Sequence, residues 1–265
     1  MAADPDQPSL SFDPPDGGGS NASAPTPHDL ASVETVEVGD QHVVRVRPDE
    51  PAIDKTFDYL VPPSMSDQIR VGTMVRIPLH GRRVGGWVVE DRVVPPLGVT
   101  LQSITKVSGW GPPPELFDLA DWASWRWAGR PAALLRTASP ASIVRGLPRS
   151  PVRTPPPQPV ATDEVHDLAK EALACPVATV RLAPAVDPYP LLLAAAALGP
   201  ILVAAPVASM ARHLGLRLRR AGLPVALLPD DWSLARAGWA NVLGSRSAAF
   251  APIAAPAAVI VLDEH

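Results

Sequence analysis

The chain has 265 residues, of which 46% are hydrophobic, enough to bury one large core or two modest ones. Its formal charge of −4 is uneven: residues 1–41 hold eight acids and no Lys or Arg, residues 42–150 hold fourteen bases against ten acids, and residues 151–265 balance nine against nine. The single cysteine, Cys175, excludes a disulfide framework and a cysteine-based zinc site within these residues, and the acidic start with Asp4, Asp6, Asp13 and Asp16 excludes a secretory signal and points to the cytoplasm.

Residues 1–41 combine Pro, Ser, Gly and Asp with hardly any large apolar side chains, so they cannot offset the entropy of ordering and are expected to be a disordered acidic tail. Folded sequence is expected from His42. Val43–Val46, Phe57–Pro62, Val71–Pro78 and Val84–Val89 have strand character, and Gly81-Arg82-Arg83 reads as a basic turn. Short strands at this spacing predict a small antiparallel barrel or sheet, closed by a helix over Leu116–Trp127. The helical neighbourhood of Trp122, Trp125 and Trp127 favours core packing for them over base stacking. This β-rich unit, 42–146, is the net-basic block, a footprint compatible with nucleic acid.

Residues 147–163 are dense in the chain's 34 prolines and read as an extended linker. Beyond it, residues 164–265 form a second predicted unit. Strands at Ile201–Ala205, Val225–Leu228, Asn241–Leu243 and Val259–Leu262 alternate with helices at Leu191–Leu198, Ser209–Ala221 and Ser233–Ala237, the pattern of a parallel doubly wound sheet. The fold class is therefore α+β and multi-domain. The uncharged stretch 188–211 is long enough for a membrane span, but Gly199-Pro200 and Pro206 break it into a buried helix, a turn and a buried strand. The sequence stops just after a strand, and a fragment of a longer protein is expected.

Asp263-Glu264-His265 follows the apolar run Val259–Leu262. In nucleotide-dependent motor folds a carboxylate in that place holds Mg²⁺ and its neighbour orients the attacking water, whereas an isolated pair is more often a helix start or a solvated loop. The glycine-rich loop with a lysine that cradles phosphates is absent from its expected place, where Arg181–Pro190 has no glycine, no lysine and three prolines.

Two stretches carry a family resemblance. Gly244-Ser-Arg246-Ser247-Ala-Ala-Phe250-Ala-Pro252, leading to Asp263-Glu264-His265, resembles the G-T-R-S-A-L-F-A-P and D-E-E-H motifs of the PriA family, the primosomal replication-restart proteins (primosomal protein N′). Thr56-Phe57-Asp58-Tyr59-Leu60-Val61-Pro62, Gly72, Val75–Pro78 and Gly86 resemble that family's N-terminal domain, which binds the 3′ end of the nascent leading strand. The resemblance implies that Phe57, Asp58 and Tyr59 help to line a pocket for the 3′-terminal nucleotide; an aromatic ring can stack on a base and a carboxylate can accept from a sugar hydroxyl. Read as residues alone, Phe57 and Tyr59 are equally one face of a strand, and Arg82 and Arg83 are either phosphate contacts or a solvated turn.

His80 and Gln102 stand where the family has glycine and a basic residue. The linker leaves no room for the family's winged-helix module, and its eight-cysteine zinc region would lie beyond residue 265, so no cofactor is expected in this segment. With the phosphate loop missing, the combination resembles actinobacterial PriA-like proteins with a degenerate RecA-like helicase lobe. It implies a replication-restart factor whose partners are fork DNA and primosome proteins. The alternatives are a DNA-dependent ATPase or 3′–5′ helicase, with Asp263 as metal ligand and Glu264 as catalytic carboxylate, and a module that contacts proteins alone.

Overall fold

The computed structural model describes residues 41–95, 98–151 and 164–263. The expectations for the tail (residues 1–40) and for most of the linker (152–163) lie outside the described residues.

Five short strands build the first sheet: β1 (Val43–Pro48), β2 (Phe57–Leu60), β3 (Met74–Leu79), β4 (Arg82–Asp91) and β5 (Lys106–Gly109). Their spatial order is β2-β1-β4-β3-β5 and every pairing is antiparallel. The sheet curls on itself, because Leu60 at the end of β2 bridges Ser103 just before β5: the Leu60 amide donates to the Gln102 carbonyl and the Ile104 amide donates to that of Leu60. Alternation along the strands points Val44, Val46, Tyr59, Val75, Ile77 and Val88 into the enclosed core. At Gly86 a Cβ would lie 2.7 Å from Val46 and 2.9 Å from the Arg47 carbonyl, so the close approach of β1 and β4 requires glycine.

The opposite face of β4 is buried too. Trp87 and Val89 project outward beneath α1 (Glu115–Arg126) and α2 (Pro131–Ala138), whose Phe117, Ala120, Ala132 and Leu135 cover the indole. Burying both faces of one strand is what fastens the helices to the barrel.

Two sequence expectations are corrected by this geometry. Arg82 and Arg83 are the first residues of β4 and not a turn, since the β3–β4 connection needs only His80 and Gly81, both with positive φ (48° and 76°) as a tight hairpin demands. The tryptophans expected in the core are on the surface, with Trp122 52%, Trp125 78% and Trp127 65% exposed. The buried stripe of α1 runs through Leu116, Phe117, Ala120 and Ala123, and Trp122 and Trp125 share the other face, where Trp122 meets Trp127 edge-on at 5.4 Å.

Four parallel strands build the second sheet: β6 (Ile201–Ala204), β7 (Val225–Leu227), β8 (Asn241–Gly244) and β9 (Ala258–Val261), in the order β7-β8-β6-β9. The helices are α3 (Glu164–Leu173), α4 (Tyr189–Leu198), α5 (Ala208–Arg220) and α6 (Trp232–Arg236). Neighbouring strand residues face opposite layers: Ile201, Val203, Val225 and Leu243 pack with α4 and α5, while Leu202, Ala226 and Val242 pack with Ala235 of α6 and with Ala248. The stretch 188–211 divides as expected into helix, turn and strand, and among the described residues no helix is long and apolar enough to cross a membrane.

The two sheets meet through α6, through a short 3-10 helix, Arg246–Phe250, packed on α2, and through the segments that flank α1 and α2. The Trp232 indole N–H donates to the Ala138 carbonyl at 2.8 Å, and Arg236 Nε donates to the Gly111 carbonyl at 3.2 Å.

Candidate nucleic-acid interface

Strand periodicity splits the Phe57-Asp58-Tyr59 run between two faces. Phe57 is half-buried against the barrel core and Tyr59 is buried within it, its hydroxyl donating to the Pro78 carbonyl at 3.0 Å. Burial pushes the Tyr59 phenol above its ordinary pKa, so the hydroxyl stays a donor at neutral pH. Asp58 points to the other face, where β1 sets Arg45 directly opposite. Arg45 grips it with two hydrogen bonds, at 2.8 and 3.3 Å, and reaches the carboxylate of Glu90 on β4 at 3.0 and 3.1 Å. The hydrogen bond to Asp58 is the main reason that the guanidinium is held above its ordinary pKa.

Arg45 is the residue that sequence reading missed. Its place in Val43-Val-Arg-Val-Arg47 shows that it faces away from the core, but only the pairing of β1 with β2 and β4 reveals what it holds. The Asp58 side chain is only 10% exposed, and a carboxylate has about four lone-pair sites, so capacity remains after Arg45 has been served.

Several residues converge on the end of the barrel beside β2. Pro78, which binds the Tyr59 hydroxyl, pairs with Arg83 across the hairpin, and His80 and Gly81 form the tip. The exposed Gln102 is tied to Leu60 through its backbone. Tyr59, the hairpin tip, Arg83 and Gln102 thus share one neighbourhood. Asp58 faces away from Phe57 and Tyr59, and Arg82 and Arg83 alternate across β4.

In the parallel sheet, Gly244 ends β8 and is buried; a Cβ there would lie 3.1 Å from Ala248. The chain turns at once into a short 3-10 helix, Arg246–Phe250, with Arg246 and Ser247 exposed. Asp263 follows β9 at the same carboxyl edge of the sheet, with φ 49°, while Glu264 and His265 lie outside the described residues.

The segment 181–190 behaves differently. Asp187 accepts the Tyr189 amide at 3.0 Å and both terminal nitrogens of Arg217 at 2.9 and 2.6 Å, and that guanidinium lies 3.9 Å over the Tyr189 ring. The start of α4 is therefore satisfied by the protein's own carboxylate. Arg217 stands in the last turn of α5, so these bonds tie the start of α4 to the end of that helix.

Arg217 holds Asp187 below its ordinary value by hydrogen bonding, against a smaller opposing effect of burial. A depressed carboxylate contributes stability that is present above the unfolded pKa and lost as pH falls through the folded one. The pair is partly exposed, so its contribution is about 0–1 kcal/mol. Arg217→Met should cost that much near neutrality and progressively less as acid protonates Asp187 below the ordinary carboxylate range, as urea unfolding across an acid pH series will read.

Among the described residues no group of three His, Cys, Asp or Glu side chains could hold a metal ion, and Cys175 is exposed.

Comparison with known proteins bears on the β-rich part. Residues 43–140 match the family model for the 3′DNA-binding domain (3′BD) of PriA. The probable replication restart protein PriA of Mycobacterium tuberculosis (strain ATCC 25618 / H37Rv) is 35% identical over 109 residues, covering 36% of this chain and 15% of that protein. The protein of the same name from Mycobacterium leprae (strain TN) is 31% identical over 141 residues, covering 52% of this chain and 18% of that protein. The chain thus spans less than a fifth of the relatives that it matches. The closed five-stranded sheet and the two helices packed on it are the part that bears the match, and through that part the chain is similar to the 3′DNA-binding domain of PriA.

Proposed function

We propose that this protein is a replication-restart factor that binds fork-like DNA by the free 3′ end of the nascent leading strand and has no helicase activity. The observation that carries the reading is the match of residues 43–140 to a 3′DNA-binding domain, on a barrel whose end gathers Tyr59, the His80–Gly81 tip, Arg83 and Gln102. Phe57 offers a half-buried ring edge, Asp58 a carboxylate held in one orientation by Arg45, and Arg82 and Arg83 offer exposed cations for phosphates. The acidic tail, the primosome partners and a cytoplasmic, nucleoid-associated location belong to the same proposal.

The loss of motor activity is supported by the segment 181–190. A phosphate loop needs free amides at a helix start, and there the Tyr189 amide is taken by Asp187, a negative charge where an anion would have to sit. On this reading Arg246, Ser247 and Asp263, at the carboxyl edge of the parallel sheet, are the remains of a RecA-like lobe.

Fluorescence anisotropy with forked DNA, its 3′ end free or blocked, tests the reading. Preference for the free end, reduced about tenfold or more by Asp58→Ala or Phe57→Ala, is expected. Equal binding to both ends would sink it. Phosphate release from Mg-ATP in the presence of the fork would sink the non-helicase part alone.

A further inference from the structure

A cleft of about 180 Å³ opens at the far end of β3 from the His80–Gly81 tip. It is lined by Arg70, Thr73, Lys106, Ser108, Trp110 and Arg145, among others, and no acid is part of its wall. It is smaller than the roughly 300 Å³ at which pockets begin to enclose a drug-sized molecule, so it suits a single small anionic group.

The charges around it are placed and not balanced. The Arg70 guanidinium lies 3.9 Å over the Trp110 ring, which fixes a long and otherwise mobile side chain. Lys106 and Arg145 stand exposed on the same wall, and among the described residues none of the three has a carboxylate within ion-pair distance. Behind Trp110 a fourth cation, Arg236 of α6, lies 5.3 Å from the ring and is anchored on the Gly111 carbonyl. Burial pushes its pKa down, and the nearby charge of Arg70 pushes the same way against the opposite effect of Glu115. The Trp110 amide donates to the Val144 carbonyl, which holds the Arg145 segment beside the floor of the cleft. Arg70, Lys106 and Arg145 on the wall, with the Ser108 hydroxyl beside them, make a built anion site, while the Thr73 hydroxyl is spent on the Arg70 amide and the Gln68 carbonyl.

We propose that this cleft binds a backbone phosphate of the DNA strand whose end lies at the other end of the barrel. The inference rests on the DNA-binding reading above. β3 has six residues, so cleft and hairpin tip are about 20 Å apart at ~3.4 Å per residue, a span of about six phosphates along a duplex strand. The cleft therefore engages DNA longer than that and ignores a shorter oligonucleotide. It adds affinity without reading sequence, because phosphates carry no base identity.

The test compares the full chain with Lys106→Gln/Arg145→Gln, which keeps the Arg70–Trp110 stack, and with the further substitution Arg70→Gln, each checked for an unchanged melting curve. The ligands are a strand of about 15 nucleotides and one of about three, both with a free 3′ end, and binding is read by anisotropy across a salt series. The longer strand should bind the variants about tenfold or more weakly, with the slope of log K against log salt reduced by about one or more, while the short one binds all proteins alike. Unchanged affinity and slope on the longer strand would overturn the cleft, and end preference kept by the variants would leave the end-binding reading standing. Binding blind to the 3′ end but lost with the cleft cations would keep the cleft and overturn end recognition. If the wild-type chain binds no DNA, both fall. Inorganic phosphate that is bound by the wild type and not by the variants, with DNA binding unchanged, would assign the cleft to a free anion and overturn the DNA source.

Discussion

Trp87→Ala is expected to lower the stability of the chain by about 3–5 kcal/mol, a large share of the 5–15 kcal/mol of an ordinary domain. Trp87 is 1% exposed and is the one large side chain that β4 sends toward α1 and α2. Its removal opens a cavity between sheet and helices, and the Ser139 hydroxyl, which accepts the indole N–H at 2.9 Å, loses that partner. Ser139 keeps its own bond to the Leu135 carbonyl, so the packing loss dominates. Trp87→Phe separates the two effects and should cost roughly 1–2 kcal/mol, less than the alanine change. Urea unfolding followed by circular dichroism reads both. A loss under about 1 kcal/mol for the alanine variant would mean that the helices are fastened to the barrel by something else.

Trp232→Ala should act on the union of the two sheets. The side chain is 5% exposed, and its N–H is the donor that the Ala138 carbonyl at the end of α2 receives across 94 residues of sequence. Deletion should cost about 3–5 kcal/mol for the cavity and leave that carbonyl short of a donor. The Arg236 bond to Gly111 and the Trp239 indole bond to the Pro148 carbonyl remain, but with the buried Trp232 ring gone the junction is expected to weaken enough to split unfolding into two transitions, one for each sheet. Hydrogen exchange checks the result: amides of β6 and β8 should exchange sooner than those of β1 and β4. A single transition with all four strands exchanging together would show that the sheets remain one cooperative unit without Trp232.

Most of the strands were legible because each has an apolar face and a turn residue close by. Val43–Val46 and Val84–Val89 announce themselves by valine, and the parallel strands by short apolar runs between helical patterns. β5 was missed because Lys106-Val-Ser-Gly109 is a polar edge strand whose place depends on β3. α2 was missed because Gly129 and Pro131 read as the end of a helix, whereas Pro131 opens the next one, where its missing N–H costs nothing. The exposed tryptophans show a limit of periodicity: helical spacing says that Trp122 and Trp125 share a face, and only the partner beneath Phe117 and Ala120 says which face is buried.

The candidate site was legible in its residue types and not in its geometry. Period-two alternation alone separates Asp58 from Phe57 and Tyr59. That Arg45 clamps Asp58, and that Gln102 arrives beside Leu60, depends on strand register and on closure of the barrel, which join residues far apart in the chain. The cleft around Trp110 is less legible still, because its cations come from two loops, an edge strand and α6.

The bridge between Leu60 and Ser103 sets an order of events for the nascent chain. The β3–β4 hairpin, with its two-residue turn, can form as soon as its own residues are free, since nearby contacts cost little loop entropy. β1 and β2 leave the ribosome before it and must wait, first for β4 and then for Ser103. At about 5–20 residues per second that wait lasts several seconds, during which the valines of β1 have no core to enter.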